Sequence, residues 1–223
     1  MAQLGFPFTA VIFDMDGVIV DTERFYFDTL AQLFDKEGID VPREDLCRAV
    51  GASFQDFKRN LVRWYGMGGV EITAEEGLAR YNEWESQHAP DFAALLNPGV
   101  VETIKELKAR GVRVALASSS PMNNILEVLG VCGLDGEFEL VTSGEQFHQS
   151  KPNPEIYLHT LENLGLSADE CCCIEDSVPG ITAGKAAGLT VFAKREERFG
   201  FSQDAADCII DSIPDLLTAA TSL

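Results

Sequence analysis

Basic residues are scarce in this sequence: 17 lysines and arginines face 36 aspartates and glutamates, which gives 223 residues a formal net charge of −19. A protein that binds nucleic acid or an anionic membrane surface needs a basic field to attract it, and this sequence has none. Any pocket for an anionic ligand must therefore overcome the charge of the whole protein with local cationic side chains, backbone N–H groups or a metal ion. We expect no nucleic acid and no membrane among its partners.

Long apolar runs and ordered cysteine patterns are also missing. The first apolar run ends at Asp14, so it is too short to span a membrane and lacks the flanks of a signal peptide. The six cysteines, three of them consecutive, show neither the spacing of a zinc site nor that of a disulfide framework. We expect free cysteines that act as small apolar residues in a cytoplasmic protein.

Short apolar segments do recur along the chain. They are continuously apolar rather than alternating, which is typical of strands buried on both faces of a parallel sheet. From residue 98 onward, helical segments that end in glycine lie between them. This alternation predicts an α/β fold, a Rossmann-like parallel sheet with helices on both faces. The predicted strands are residues 9–13, 112–117, 138–141, 171–174, 190–193 and 208–210.

One stretch breaks the alternation. Residues 21–88 contain about four helical segments and no convincing strand. A helical block between the first and second strands indicates a small domain inserted into the α/β core. We therefore predict a core formed by residues 1–20 and 93–223, and an inserted all-helical domain at residues 21–92.

Polar side chains follow four of the predicted strands, at or soon after the point where the apolar run ends. In an open parallel sheet, ligands bind beyond the carboxyl ends of the strands. A right-handed α/β fold would bring all four groups to one edge of the sheet. In chain order they are Asp14 with Asp16, the serines Ser118, Ser119 and Ser120, Lys151, and Glu175 with Asp176.

The acidic residues suggest metal and acid–base chemistry. Asp14 and Asp16 lie two apart on an extended chain and can face a common ligand. With Glu175 and Asp176 they form an all-oxygen site suited to Mg²⁺ before any other ion. Such an ion would reduce the repulsion between a phosphate and a carboxylate, so Asp14 could act as a covalent nucleophile. Nearby negative charge favours the protonated form of Asp16, as a general acid requires.

The remaining groups suit the binding of a phosphate. Ser118, Ser119 and the neighbouring N–H groups precede a helix opened by Pro121 and could bind phosphoryl oxygens. Lys151 would add positive charge where negative charge accumulates. Gly17 permits the tight turn that leaves the site open.

Each cluster also has an ordinary structural interpretation. Two acids after a strand often cap a helix, serines before a proline often form a turn, and Lys151 before Pro152 is by default a solvated loop residue. Ser177 in "EDSVPG" could serve only as a helix cap. These interpretations leave unexplained why each cluster follows an apolar strand and why together they complete one metal and phosphate site. We therefore favour a functional site.

Four segments, "DMDGVIVDTE", the Ser118 motif, "SKPNPEIY" and "IEDSVPGI", resemble the signature motifs of the haloacid dehalogenase superfamily. The branch is the one that contains beta-phosphoglucomutase and small sugar-phosphate phosphatases, and it carries a cap domain where this chain has its helical insert. The resemblance implies that Asp14 is the nucleophile, Asp16 the acid/base, and Ser118 and Lys151 the binders of phosphate and intermediate. It also implies a Mg²⁺ site at Glu175 and Asp176 that takes the backbone carbonyl of Asp16.

The acid at position 16 favours phosphoryl transfer, because superfamily dehalogenases resemble this pattern without it. Similar sugar phosphomutases carry an arginine in the cap after a G-x-S triplet, where this sequence has Phe54 after residues 51–53. The sequence therefore predicts a Mg²⁺-dependent phosphatase of a small phosphorylated metabolite, a sugar phosphate in the first place, acting through a phosphoaspartate on Asp14. A beta-phosphoglucomutase-type mutase is the alternative, and a phosphometabolite sensor is third. We expect a monomer or a weak homodimer.

Substrate contacts in the cap are harder to assign from sequence. Arg80 is the nearest basic candidate for the second cap lysine of the mutases, and Lys58 is the candidate for a Schiff base of the phosphonoacetaldehyde hydrolase type. A set of aromatic residues either lines a substrate pocket or forms the core of the small helical domain. These are Phe25, Tyr26, Phe54, Phe57, Trp64, Tyr81 and Trp84.

Overall fold

Six parallel strands form a single sheet in the order β3-β2-β1-β4-β5-β6. The structure, a computed structural model, describes residues 5–47, 49–50 and 54–222. All six predicted strands are confirmed: the bounds of the last one match the prediction, and the other five are shifted by one or two residues at one or both ends. Their bounds are β1 (Ala10–Phe13), β2 (Arg113–Ser118), β3 (Leu140–Ser143), β4 (Cys171–Glu175), β5 (Thr190–Lys194) and β6 (Cys208–Ile210).

The third strand shows the largest difference from the sequence-based prediction. It begins at Leu140 rather than at Phe138. Phe138 is buried against Phe13, with 6.1 Å between the ring centroids, so its apolar character serves the core and not the strand ladder. The side chain of Glu139 turns outward to pair with Arg113.

The central strand explains why the apolar runs are continuous. β1 pairs with β2 on one side and with β4 on the other, and all four of its residues are buried. Val11 and Phe13 enter one apolar cluster, whereas Ala10 and Ile12 enter the cluster on the opposite face. Since side chains alternate between the faces of a strand, burial on both faces requires an apolar residue at every position.

Helices cover both faces of the sheet, as predicted. Three of them, α6 (Val100–Ala109), α7 (Met122–Val131) and α10 (Leu216–Ala219), contribute Ile104, Ile125 and Leu216 to one cluster. The opposite cluster receives Tyr157 from α8 (Glu155–Leu164) and Ile181 from α9 (Val178–Ala186).

The described residues between 21 and 92 form helices and turns and no strand. Their helices are α1 (Thr22–Glu37), α2 (Arg43–Cys47), α3 (Phe54–Met67), α4 (Ala74–Ser86) and α5 (Phe92–Leu95). The first four match the predicted segments. Arg48, which falls in the second predicted segment, lies outside the described residues. Residues 51–53, the triplet compared with the mutases, lie outside them as well. Helix α5 forms after the fourth predicted helical segment, where the sequence predicted no helix, and Asp91 caps it by accepting from the N–H of Ala94.

A third apolar cluster lies among these helices and includes Phe34, Leu61, Trp64 and Tyr65. Most of the aromatic residues singled out in the sequence belong to this cluster or pack against it, so they form a core rather than a pocket. Phe25, Tyr26 and Phe54 are not part of this cluster, and Phe54 has 58% of its surface exposed.

The cysteine prediction is confirmed. All six cysteines are free. Cys171 and Cys173 of β4 enter the cluster on one face of the sheet and Cys172 enters the other, so they occupy the place of small apolar residues. Among the described residues, no helix combines the length and the apolar character that crossing a membrane requires.

Candidate active site

The turn after β1 places two aspartates at the carboxyl edge of the sheet. The N–H of Asp14 continues the ladder to β4 by donating to the carbonyl of Ile174 (3.0 Å). Gly17 then adopts a left-handed conformation with φ of +82°, which a residue with a side chain rarely adopts. Asn97, buried in the return from the cap, donates through Nδ2 to the carbonyls of Gly17 (3.1 Å) and Val18 (2.9 Å). The turn that precedes the helical insert is thus held by a residue that follows it.

Lys151 is the positive centre of the site. Its Nζ donates to Asp14 Oδ1 (2.6 Å), to Glu175 Oε1 (2.7 Å) and to the carbonyl of Ala117 (2.9 Å), which uses all three of its N–H groups. Burial opposes the charged ammonium, but the carboxylates of Asp14 and Glu175 outweigh it and raise the pKa of Lys151. The side chain is therefore a fixed positive charge and not the solvated loop lysine of the ordinary interpretation.

Three carboxylates converge beside this lysine. Asp14, Glu175 and Asp176 each offer an oxygen within 4.8 Å of the others. Among the described residues, no hydrogen-bond donor reaches Glu175 Oε2 or either side-chain oxygen of Asp176, although all three atoms are buried. Buried carboxylate oxygens without partners are costly.

The electrostatics of the acidic pair favour a cation. Burial, followed by the charges of Glu23 and Asp14, raises the pKa of Asp176, and burial with the charge of Asp14 raises that of Glu175. A hard divalent ion would remove this penalty, since it binds carboxylate oxygens and favours their ionised form. The residues present therefore fit the predicted Mg²⁺.

Two glycines make room for the acidic pair. A Cβ on Gly17 would lie 1.9 Å from Asp176 Oδ2, and a Cβ on Gly180 would lie 1.8 Å from Glu175 Oε2. Both distances are far inside van der Waals contact with buried charged groups. Gly17 therefore has a second role beside the turn that the sequence predicted, and Gly180 is a site residue that the sequence analysis missed.

Asp16 has an environment of its own. Thr22 Oγ1 donates to Asp16 Oδ1 (2.6 Å) and Ser120 Oγ donates to Oδ2 (2.8 Å). Burial raises its pKa even though these two hydrogen bonds act in the opposite direction. The side chain is thus oriented by two hydroxyl groups, and a raised pKa is what a general acid needs.

The predicted serines lie at the end of β2. Ser118 is fully buried, and its Oγ accepts from the N–H of Ser120 (3.1 Å). Ser119 is exposed, and its Oγ accepts from Ser150 Oγ (3.1 Å) in the loop that precedes Lys151. Ser143 fixes the same turn by donating to the carbonyl of Ser120 (2.7 Å). The turn therefore links the predicted phosphate-binding serines to Asp16.

Several residues of the site were not assigned a role from sequence. Thr22 and Ser120 orient Asp16, Asn97 holds the turn, and Tyr157 donates to Glu175 Oε1. Thr22 and Tyr157 stand inside the quoted motifs "DMDGVIVDTE" and "SKPNPEIY", and Ser120 closes the serine triplet. Asn97 carries no signal of its own, because its contacts reach back 80 residues along the chain.

A cavity of about 420 Å³ lies between core and cap next to Lys151. The core contributes Lys151, Pro152, Val178 and Pro179, and the cap contributes polar residues from α3. The cap residues with charge or hydrogen-bonding capacity in its lining are Asp56, Arg59 and Asn60.

The two basic cap residues considered from sequence, Lys58 and Arg80, each pair with a glutamate. Phe54 is the first residue of α3, and Lys58 lies over its ring and pairs with Glu75 (3.3 Å). Arg80 lies over the ring of Tyr65 and contacts Glu37 (3.4 Å). Glu37 is the last residue of α1, about 22 Å along the helix from Thr22 and the site. Arg80 is therefore remote from Asp16.

Known proteins resemble this chain over most of its length. A phosphorylated carbohydrates phosphatase of Thermotoga maritima is 34% identical over 184 residues, 81% of this chain and 82% of that protein. Hexitol phosphatase B of Escherichia coli is 34% identical over 188 residues, 81% of this chain and 80% of that protein. The crystal structure of beta-phosphoglucomutase from Clostridium difficile shares the fold, with 24% identity and a TM-score of 0.77 over 96% of this chain and 97% of that one. A family model of the haloacid dehalogenase-like hydrolases matches residues 8–188, and the chain belongs to that family.

Proposed function

We propose that the protein is a Mg²⁺-dependent phosphatase that hydrolyses a small phosphorylated carbohydrate through a phosphoaspartyl intermediate on Asp14. The observation that carries this proposal is the division of labour between the two aspartates. Asp14 lies against Lys151 and the cation-binding pair, whereas Asp16 is held separately by Thr22 and Ser120. The names of the two relatives that are 34% identical support the carbohydrate class.

In the first step, a carboxylate oxygen of Asp14 forms a bond to phosphorus while the bond from phosphorus to the alcohol oxygen breaks. The electron pair of that bond stays on the alcohol oxygen, which takes the proton of Asp16. In the second step, Asp16 takes a proton from water as the water oxygen bonds to phosphorus and the bond from phosphorus to the Asp14 oxygen breaks. The electron pair of that bond returns to the Asp14 carboxylate, and inorganic phosphate is released.

Other groups of the site stabilise charge. Lys151, whose ammonium lies 2.6 Å from Asp14 Oδ1, offsets the negative charge that gathers there. Ser118, Ser119 and the backbone at Gly17 would bind phosphoryl oxygens. A Mg²⁺ ion held by Asp14, Glu175, Asp176 and the backbone carbonyl of Asp16 would reduce the repulsion between phosphate and carboxylate.

The helical insert has the role of selecting the substrate. We assign residues 1–20 and 93–223 to the catalytic core and residues 21–92 to a cap that excludes water and selects the substrate. The cavity beside Lys151 is open to the carbohydrate part of the substrate, and Arg59 and Asn60 are the cap groups available to it.

Two cap residues support a phosphatase over the alternative mutase. Phe54 stands where similar mutases carry the arginine that holds a distal phosphate, and a phenyl ring cannot bind that group. Arg80, the other candidate cation, contacts Glu37 at the far end of α1.

The test is phosphate release from a panel of sugar, polyol and nucleotide phosphates, with Mg²⁺, with chelator, and with Asp14→Asn as the inactive control. We expect Mg²⁺-dependent release, fastest with carbohydrate phosphates, and a loss of about 10³-fold or more in the variant because the nucleophile is gone. Unchanged far-UV circular dichroism would show that the variant is folded.

Two results would contradict the proposal. Isomerisation of a hexose phosphate that depends on added bisphosphate, without net release, would identify a mutase. Release that survives chelator or Asp14→Asn would remove either the cation or the phosphoaspartate from the mechanism.

A further inference from the structure

The loop between β5 and β6, residues 195–207, crosses from the core to the cap. Phe199 of this loop is buried in the apolar cluster of the cap helices, where its ring packs on Phe27 of α1 with 5.3 Å between centroids. Arg43 of α2 donates to the backbone carbonyl of Arg198 (3.1 Å) and lies over the same Phe27 ring. The core therefore contributes to the packing of the cap at this point.

The side chain of Arg198 contacts the residue at which the chain enters the cap. Its Nη1 donates to Asp21 Oδ2 (2.9 Å) and its Nη2 donates to Asp21 Oδ1 (2.7 Å), a two-point contact that fixes orientation as well as position. Asp21 stands at the N-cap of α1, but its carboxylate makes no hydrogen bond to the helix. Arg198 thus holds a carboxylate that would otherwise be free to cap α1.

The residue after Asp21 links this contact to the chemistry. Thr22 is fully buried, and its hydroxyl donates to Asp16 Oδ1 at 2.6 Å. The backbone N–H of Asp21 donates to the carbonyl of Leu95 (2.8 Å), the last residue of α5, where the chain returns from the cap. Because Asp21 and Thr22 are joined by one peptide unit, the position of Asp21 limits where the Thr22 hydroxyl can lie.

The other side of the loop is fixed to the core. Glu196, whose side chain is 2% exposed, forms the second ion pair of Arg198. The backbone N–H of Glu196 donates to Gln203 Oε1 (3.0 Å), and Gln203 Nε2 donates to the carbonyl of Asp176 (2.5 Å). Arg198 is therefore supported by a buried network that begins at the backbone of the acidic pair.

We propose that Arg198 is a positioning residue for proton transfer, and that through Asp21 and Thr22 it aligns Asp16 with the leaving oxygen of the substrate. This inference rests on the proposed function, since it requires Asp16 to act as the general acid. It concerns the arrangement of the acid and not the formation of the bond between Asp14 and phosphorus.

The test uses two substrates that differ in their need for an acid. The first is the sugar or polyol phosphate that releases phosphate fastest, an alkyl ester whose poor leaving group must be protonated. The second is 4-nitrophenyl phosphate, whose good leaving group departs without a proton. We expect Arg198→Gln to lower kcat/KM for the alkyl ester by about 10- to 100-fold, a fraction of the full effect of a general acid. We expect kcat/KM for 4-nitrophenyl phosphate to fall by less than about 3-fold, because its first step draws little on the acid. The second step uses Asp16 as a base for both substrates, and it does not enter kcat/KM because it follows the release of the alcohol.

Matched variants isolate the contact. Arg195→Gln removes a second arginine of the same loop, one that pairs with the exposed Asp211, and should leave both substrates unchanged. Asp21→Asn should reproduce the selective loss, and Arg198→Lys should recover part of the alkyl activity. The double variant Arg198→Gln/Asp21→Asn should lose little more than either single variant, since both act through one contact.

The outcomes separate the two proposals. If the wild-type protein releases phosphate from no ester, the proposed function fails and the role of Arg198 falls with it. If the wild type is active and Arg198→Gln lowers kcat/KM equally for both substrates, or for neither, the positioning role is wrong. Should Arg198→Gln fail to fold, Asp21→Asn decides the question by the same ratio of alkyl to aryl activity.

Discussion

At the carboxyl end of the sheet, four charged side chains lie almost fully buried, whereas in the cap the buried side chains are mostly aromatic and apolar. Lys151, Asp14, Glu175 and Asp176 are each no more than 7% exposed. The ion pairs of the cap, such as Arg24–Asp28 and Arg59–Asp56, have largely exposed partners.

The contrast in burial indicates that the edge of the sheet serves the reaction and the cap serves the selection of substrate. A buried charged cluster lowers the stability of the folded state unless each member has a partner, so its presence indicates a function. The carboxylate oxygens of Glu175 and Asp176 that lack partners indicate where a cation would bind. Charges on the surface of the cap contribute little to stability, so the Arg59–Asp56 pair that lines the cavity can be assigned to substrate selection.

The largest effect on stability should come from Lys151→Met. Removing the ammonium leaves Asp14 and Glu175 buried without their partner, and we expect a loss of about 3–5 kcal/mol in the free energy of unfolding. The control Lys185→Met breaks a pair with Asp207 in which both side chains are partly exposed, and it should cost less than about 1 kcal/mol. Urea unfolding of both variants measures the difference.

The loss of unfolding free energy in Lys151→Met should depend on pH. Lys151 lowers the pKa of Glu175, which burial and Asp14 raise, so in Lys151→Met the pKa of Glu175 rises further. A carboxyl whose pKa is higher in the folded than in the unfolded state loses stability as pH rises above the unfolded value. The loss of unfolding free energy in Lys151→Met relative to the wild type should therefore be larger at pH 8 than at pH 5. Equal deficits for the two lysine variants would mean that the buried cluster does not differ from a surface pair.

Mg²⁺ should raise the thermal stability of the protein. At an ion concentration 100 times Kd, binding to the folded state contributes about 2.7 kcal/mol, or roughly 5–10 °C in Tm for a protein of this size. Since burial raises the pKa of Asp176 and Glu175, protons compete with the ion, and the shift should be larger at pH 8 than at pH 5.5.

The matched control for the ion is Asp176→Asn. It keeps the shape of the side chain and removes the charge, so it should abolish most of the Mg²⁺-dependent shift in differential scanning fluorimetry. A shift of equal size in this variant, or with NaCl at the same ionic strength, would place the ion elsewhere.

The smallest effect should come from the cap. Arg59 lines the cavity beside Lys151, and Arg59→Ala should raise KM for the best carbohydrate phosphate about 5-fold, equivalent to about 1 kcal/mol, with kcat little changed. Arg24→Ala is the matched control, because Arg24 also pairs with an aspartate of its own helix but does not line the cavity. A change in kcat rather than KM, or the same change in both variants, would contradict a role of Arg59 in substrate binding.

The core shows how far sequence reasoning reaches. Val11, Ile12 and Phe13 are apolar at consecutive positions because β1 is buried on both faces, and that run can be read without coordinates. The polar groups after the strands could also be predicted, since parallel strands end at one edge of the sheet. The convergence of Asp14, Lys151 and Glu175 follows from that rule.

The cap could be predicted as helical but not as a surface. Its segments carry helical spacing and end signals such as Gly38, which lies in the left-handed conformation after α1. The same aromatic residues suit a core or a pocket, and sequence spacing does not distinguish the two. The structure places Phe57, Trp64, Tyr81 and Trp84 in a core and leaves Phe25, Tyr26 and Phe54 outside it.

Which polar residues follow which strand can be read from the sequence, and that order predicts which side chains meet at the edge of the sheet. The residues that hold those side chains in place become visible only in the folded structure. Asn97 reaches the turn at Gly17, and Arg198 reaches Asp21 across 177 residues. Such contacts leave no local pattern, because an asparagine or arginine in a loop has many possible partners and only the packing of distant segments selects one.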